Sequence, residues 1–230
     1  MINSSLDKRL LSCADYVRAG AVFADIGTDH GYLPLFLLRS GRIERAYLSD
    51  VNEGPLSSAK ANAASEGLLD KCEFTLADGA AALSGKGITD YAICGMGAEL
   101  IASIIDAAEH LRCRGVRLIL QPMTKQEHLR RYLITTGFEI IAESYSFAEG
   151  KYYVTVVAEY TGASRDPEIF ECELGRECAR AGDRVAYIGY LEGKARSLNK
   201  SLAGKMQAGL PTDAERELLA AIEKRIASVQ

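Results

Sequence analysis

Short apolar runs and amphipathic helical segments alternate from residue 6 to about residue 136, and this alternation limits the chain to few folds. Leu6, Leu10, Ala14 and Val17 recur at near-helical spacing, which predicts a helix over 6–18. The run 21–26 is apolar and ends at Gly27, as a buried strand does before a turn. The same reading predicts strands at 46–50, 73–77, 91–94 and 116–120. Helices are predicted at 32–39, 54–66, 97–108 and 124–136, with Pro55 suited to a first helical turn. The runs 138–145 and 152–160, joined by Glu149-Gly150-Lys151, then predict an antiparallel hairpin. Five βα repeats followed by a hairpin imply an α/β fold, a Rossmann-like, mostly parallel sheet with helices on both faces.

The pattern changes after Gly162–Pro167, which reads as a linker. Ile188, Leu191, Ala195, Leu198 and Leu202 are spaced 3, 4, 3, 4, and Leu219, Ile222, Ile226 and Val229 are spaced 3, 4, 3. A turn at Gly209-Leu210-Pro211 separates them, and Thr212 with Glu215 has the form of a capping box. Residues 163–230 are therefore expected to form a C-terminal α-helical coiled-coil hairpin appended to a first domain of residues 1–162.

Composition excludes several classes. No apolar run is long enough to span a bilayer, and the first eighteen residues lack a signal-peptide core, so a cytoplasmic protein is expected. Cys13, Cys72, Cys94, Cys113, Cys172 and Cys178 form no C-x-x-C pair, and His30, His110 and His128 are not at zinc-ligand spacing from them. Reduced thiols and no metal are expected. The net charge is −4, which argues against diffuse attraction to nucleic acid. Within 176–205, however, seven basic residues (Arg176, Arg180, Arg184, Lys194, Arg196, Lys200, Lys205) face three acidic ones (Glu177, Asp183, Glu192).

In a sheet of this kind ligands bind beyond the carboxyl ends of the strands, where the strand order switches. The first strand ends at Asp25-Ile26-Gly27 and runs into Thr28-Asp29-His30-Gly31. Asp50 ends the second strand and can accept from both hydroxyls of a ribose. Asp78-Gly79 ends the third, and Gly95-Met96-Gly97 the fourth. Each end alone is also what a helix cap looks like; four in order point to a nucleoside cofactor. The loop is not G-x-G-x-x-G, and Asp29 would set a negative charge where a pyrophosphate belongs. A sulfonium cation tolerates that carboxylate, so S-adenosyl-L-methionine (SAM) is favoured over NAD.

The strings 6–10 (LDKRL), 24–34 (ADIGTDHGYLP), Gly54-Pro55, Asp78-Gly79, 92–97 (AICGMG) and 120–122 (LQP) resemble the bacterial TrmK-type tRNA (adenine-22-N1)-methyltransferases over about residues 5–160. Cys94 and Ala98 depart from the pattern, and residues 163–182 match least. The resemblance implies methylation of adenine N1 in tRNA by a SAM-dependent enzyme. It assigns Asp25, Gly27, Thr28, Asp50, Asp78 and Gly79 to the cofactor, with Asn52, Gly95 and Met96 nearby. Asp29, His30 and Tyr32 fall at the methyl-transfer end, and each has an ordinary structural reading beside it: a turn, a pinned loop, a helix start. Gln121 is a candidate base contact, and Arg176, Arg180, Arg184, Lys194, Arg196 and Lys200 are candidate phosphate contacts; Lys125, Arg130 and Arg131 are read as a helix face that could touch phosphate. A monomer is favoured. The alternatives are a SAM-dependent methyltransferase of another substrate and an inactive SAM- or RNA-binding module. An NAD oxidoreductase is disfavoured by Asp29 and by the lack of Tyr-x-x-x-Lys.

Overall fold

The computed structural model describes residues 6–176 and 181–229. Seven strands form one sheet: β1 (Ala21–Ile26), β2 (Ile43–Asp50), β3 (Cys72–Leu76), β4 (Asp90–Met96), β5 (Arg117–Pro122), β6 (Phe138–Ala148) and β7 (Lys151–Tyr160). Their order is β3-β2-β1-β4-β5-β7-β6. The first five are parallel, while β7 pairs antiparallel with both β5 and β6. The chain leaves β1 toward β2 and β3, then returns to β1's other side with β4. A crevice therefore opens at the carboxyl ends of β1 and β4. The antiparallel β7, inserted inside the edge strand, distinguishes this sheet from the all-parallel dinucleotide-binding order.

Helices α1 (Lys8–Ala14), α2 (Tyr32–Arg39), α3 (Glu53–Ser65), α4 (Ala98–Asp106) and α5 (Gln126–Thr135) cover the sheet. Alternation along β1 feeds two cores. Ala21 and Phe23 pack with Cys13, Leu35 and Leu37 on one face, while Ala24 and Ile26 pack with Ile101, Ile105 and Leu129 on the other. Helix α1 is shorter than the expected 6–18; Asp7 caps it, its Oδ1 accepting from Leu10 N at 2.8 Å. Among the described residues, no helix is long and apolar enough to cross a membrane.

A short helix, α6 (Ile169–Leu174), follows the linker, and the long α7 (Ala181–Gln207) and α8 (Asp213–Val229) form the expected hairpin. Leu191, Leu202, Ile222 and Val229 are buried along its seam. The capping box does not close. Thr212 Oγ1 accepts from Arg216 Nε at 3.2 Å and Glu215 pairs with Lys205, bracing the turn instead. The base of α7 shares a core with the sheet, since Tyr187 packs on Tyr145 with ring centroids 4.6 Å apart.

Arg130 corrects an expectation at that junction. It is buried rather than on a solvated face, because Glu143 of β6 supplies its counter-charge. Arg130 Nε donates to Glu143 Oε1 at 2.7 Å, its Nη1 to Cys172 O at 2.7 Å and its Nη2 to Tyr145 Oη at 3.3 Å. Glu143 Oε2 also accepts from Tyr145 Oη (2.8 Å) and from Arg176 N (2.9 Å). The network satisfies the buried charges and fixes where the C-terminal segment leaves the sheet. Lys125 is spent on Glu99 at 2.5 Å, and Arg131 lies 3.4 Å from Asp166.

Candidate active site

The loop after β1 makes the floor of the crevice. Gly27 and Thr28 donate their N–H groups to Ser49 O at 2.8 and 3.1 Å, and Ser49 Oγ donates to Gly79 O at 3.3 Å. One β2 residue thus ties the turns after β1 and β3 together. Gly27 has φ +73°, and a Cβ there would sit on the Met96 methyl. The left-handed φ favours glycine here, and any side chain would also have to push the flexible Met96 methyl aside.

These turns open into a cleft of about 600 Å³. It is lined by six carboxyl groups (Asp7, Asp25, Asp29, Asp50, Asp78, Glu149) and one cation, Arg9, with Leu100, Ile104, Val51 and Met123 among its apolar walls. A pyrophosphate would be repelled by such a lining. A cationic nucleoside matches it, with carboxylates to meet its charge and hydroxyls and apolar side chains to meet its ring.

Asp25 lies deepest, 7% exposed, and its Oδ2 accepts from Thr28 Oγ1 at 2.7 Å. Burial pushes its carboxyl group up to about 6, against the opposing Thr28 hydrogen bond; Asp50 and Asp29 raise it further and Arg9 lowers it. Asp50 Oδ1 accepts from Asn52 N at 2.7 Å, which aims the carboxylate at the end of β2. Asp29 stands on the rim with its side chain 81% exposed, and His30 Nε2 is 3.1 Å from its Oδ1. His30 sits at φ +59° and stacks on Tyr32 with centroids 5.3 Å apart.

The cleft gathers most of the expected residues: Asp25, Gly27, Asp29, Tyr32, Asp50, Asn52, Asp78, Gly79, Gly95 and Met96. Three others stand behind it. Thr28 is buried and serves Asp25, so it is not a cleft surface. His30 reaches the cleft only through Asp29 and Tyr32. Gln121 is corrected from base contact to support: it is 0% exposed, its Oε1 accepts from Arg9 Nη1 at 2.9 Å, and its Nε2 donates to Arg9 O at 3.1 Å.

Arg9, Asp7, Glu149 and Tyr153 line the cleft without having been singled out. Arg9 is held by Gln121 and lies 5.7 Å from the centre of the Tyr153 ring. Its only signal was the string at 6–10. Cys94 also lines the cleft, 3.6 Å from Cys13 Sγ, and that contact with burial pushes its thiol well up. Of the basic stretch, Arg176, Arg184, Arg196 and Lys200 are exposed. Lys194 is corrected: it is 19% exposed and bound to Glu173, with Glu127 at 3.9 Å, so its charge is already met. Arg180 lies outside the described residues.

Comparison with known proteins agrees with this geometry. Residues 6–156 match a methyltransferase domain family. The chain is 37% identical over 155 residues to the tRNA (adenine(22)-N(1))-methyltransferase of Bacillus subtilis (strain 168), covering 67% of this chain and 65% of that protein. Full-length similarity extends to Sp1610 of Streptococcus pneumoniae, named for tRNA (m1A22) methylation and solved with S-adenosyl-L-methionine. That match has 31% identity and a TM-score of 0.80, over 96% of this chain and 99% of that one. The chain belongs to the TrmK-type methyltransferase family. The B. subtilis M1A22 tRNA methyltransferase TrmK itself superposes with a TM-score of 0.78 at 27% identity, over 98% of this chain and 97% of that one. The TrmK-type likeness therefore extends over the C-terminal hairpin.

Proposed function

We propose that this protein transfers the methyl group of SAM to ring N1 of adenine 22 in tRNA. The observation that carries the proposal is the row of carboxylates at the ends of adjacent parallel strands, Asp25, Asp50 and Asp78, with Asp29 on the rim, in a chain of the TrmK-type family. Asp50 accepts from the ribose hydroxyls and Asp78 from the adenine amino group of the cofactor. Asp25 and the Gly27 turn receive the cationic methionine end. SAM supplies an electrophilic methyl group on its sulfonium.

Adenine N1 carries a free lone pair in the neutral base, so no residue has to remove a proton before attack. The protein's tasks are to position the base and to meet the positive charge that develops on it. Asp29 takes the second task in this reading, supported by His30 beside its carboxylate and Tyr32 packed against His30. N1 lies on the pairing edge, so the target nucleotide enters unpaired and unstacked.

Arg176, Arg184, Arg196 and Lys200 form the phosphate-contacting face of the C-terminal segment, without Lys194. Action as a monomer belongs to the same reading, and a tRNA substrate supports a cytoplasmic setting. Labelled methyl transfer from SAM to bulk tRNA, followed by mapping of the modified base, tests the proposal. Absence of transfer, or label on another base, would sink it.

A further inference from the structure

A second groove of about 470 Å³ lies along the free edge of β6, between α1 and the start of α7. It is built by the same elements as the cleft. Helix α1 gives Arg9 and Leu10 to the cleft and Lys8 and Leu11 to the groove. The β6–β7 hairpin gives Glu149 and Tyr153 to the cleft and Phe147 and Tyr152 to the groove. The cleft and the groove therefore flank the same two elements.

The lining is suited to a base. Phe147 is 48% exposed and its ring packs against that of Tyr152 with centroids 4.8 Å apart, tilted by 47°, so aromatic surface is open to solvent in the groove. Leu11 and Val185 are exposed apolar walls, Val185 at 76%. Ser146 lines the groove and is nine-tenths buried, yet its Oγ has no hydrogen-bond partner among the described residues. A buried hydroxyl of that kind is costly unless a ligand completes it. Lys8 lines the groove on the α1 side, and Asp15 and Asp183 line it as well. A stacked base inside, with its phosphate toward Lys8, satisfies all of these features.

We propose that this groove is a second nucleotide subsite, which takes the unstacked base next to the methylated adenine. The proposal rests on tRNA being the substrate. It makes Phe147 a stacking platform and Ser146 a hydrogen-bonding partner for the base edge. Holding the neighbouring base outside the stack keeps the target base from returning to it.

The test uses the full chain with tRNA and SAM. Phe147→Ala is expected to raise the KM for tRNA about fivefold or more, from the worth of one base–aromatic stack. The affinity for SAM should be unchanged, and Phe147→Tyr should restore tRNA binding to within about twofold of wild type, as an equivalent stack does. Val185→Glu, at an exposed position that folding does not depend on, should weaken tRNA in the same way. The fluorescence of a tRNA carrying 2-aminopurine beside adenine 22 should change as that base leaves the tRNA stack on binding wild type, and should change less on binding Phe147→Ala. A wild-type KM together with a wild-type fluorescence change in the variants overturns the subsite, even where adenine 22 is methylated normally. A wild-type dimer that Val185→Glu turns into a monomer would assign the groove to a second copy of the chain and also overturn it. Wild-type protein that methylates no tRNA defeats the underlying functional reading instead, and the fluorescence signal, which needs no methyl transfer, separates the two failures.

Discussion

Replacing Asp25 by Asn should have opposite effects on stability and on cofactor binding. In the free protein burial raises this carboxyl group from the usual 3.8 to about 6, which corresponds to about 3 kcal/mol of disfavoured ionisation once the group is charged. The sign follows from proton binding. Between these two values the native state holds a proton that the unfolded chain has lost. The associated stability is complete below 3.8 and is lost as pH rises through about 6. Asp25→Asn removes the charge and keeps an acceptor for the Thr28 hydroxyl. Urea unfolding of the free protein should show the variant more stable than wild type at pH 7.5, by up to about 3 kcal/mol, with the difference vanishing near pH 4. SAM binding should move the other way. Its sulfonium and ammonium favour an ionised Asp25, and the ionised fraction rises from about one-tenth at pH 5 to about nine-tenths at pH 7, so wild-type affinity should improve roughly tenfold over that interval. Calorimetry on the variant should give weaker binding with no such slope. A variant less stable than wild type at pH 7.5, or one that binds SAM with the wild-type pH profile, would refute the reasoning.

Gly27→Ala places a Cβ in a left-handed turn and against the Met96 methyl. Strain of about 1–2 kcal/mol from the backbone, set against the cofactor-bound turn, predicts a loss of SAM affinity of about five- to thirtyfold by calorimetry. Arg130→Met leaves Glu143 charged and buried, which should cost about 3–5 kcal/mol and lower the melting temperature by roughly 10 °C, with SAM affinity little changed in the folded protein. Reversing Arg184, Arg196 and Lys200 to Glu should raise the KM for tRNA at least about tenfold and flatten its salt dependence, leaving SAM binding intact. That triple variant is preferable to removing residues 163–230, because Tyr187 and Leu191 belong to the sheet's own core.

The sheet was legible because buried parallel strands are short apolar runs separated by helical periods, and the turns carried their glycines and aspartates in order. What stayed hidden depends on contacts distant in sequence. Arg130 looked like a surface residue because nothing near it in the chain announces Glu143. Gln121 ended a strand at the correct depth, but α1 folds over it and interposes Arg9, so the guanidinium and not the amide faces the cleft. Lys194 sits on a basic helix whose neighbours in space, Glu127 and Glu173, come from other elements. Helix α6 spans only Ile169–Leu174, too short to establish a period. The seam of α7 and α8, by contrast, followed from spacing alone.

The central claim is that the rim of this cleft methylates one ring nitrogen of one tRNA adenine. Its most direct measurement is transfer of labelled methyl from SAM to tRNA, with the product located by nucleoside analysis and by primer-extension arrest, since a methyl group on N1 blocks pairing. The expected product is 1-methyladenine at position 22. Asp29→Ala should lower the rate roughly 10- to 100-fold at saturating SAM, the lower end reflecting how exposed this carboxylate is. Label on any other atom or nucleotide, or an Asp29→Ala rate equal to wild type, would contradict it.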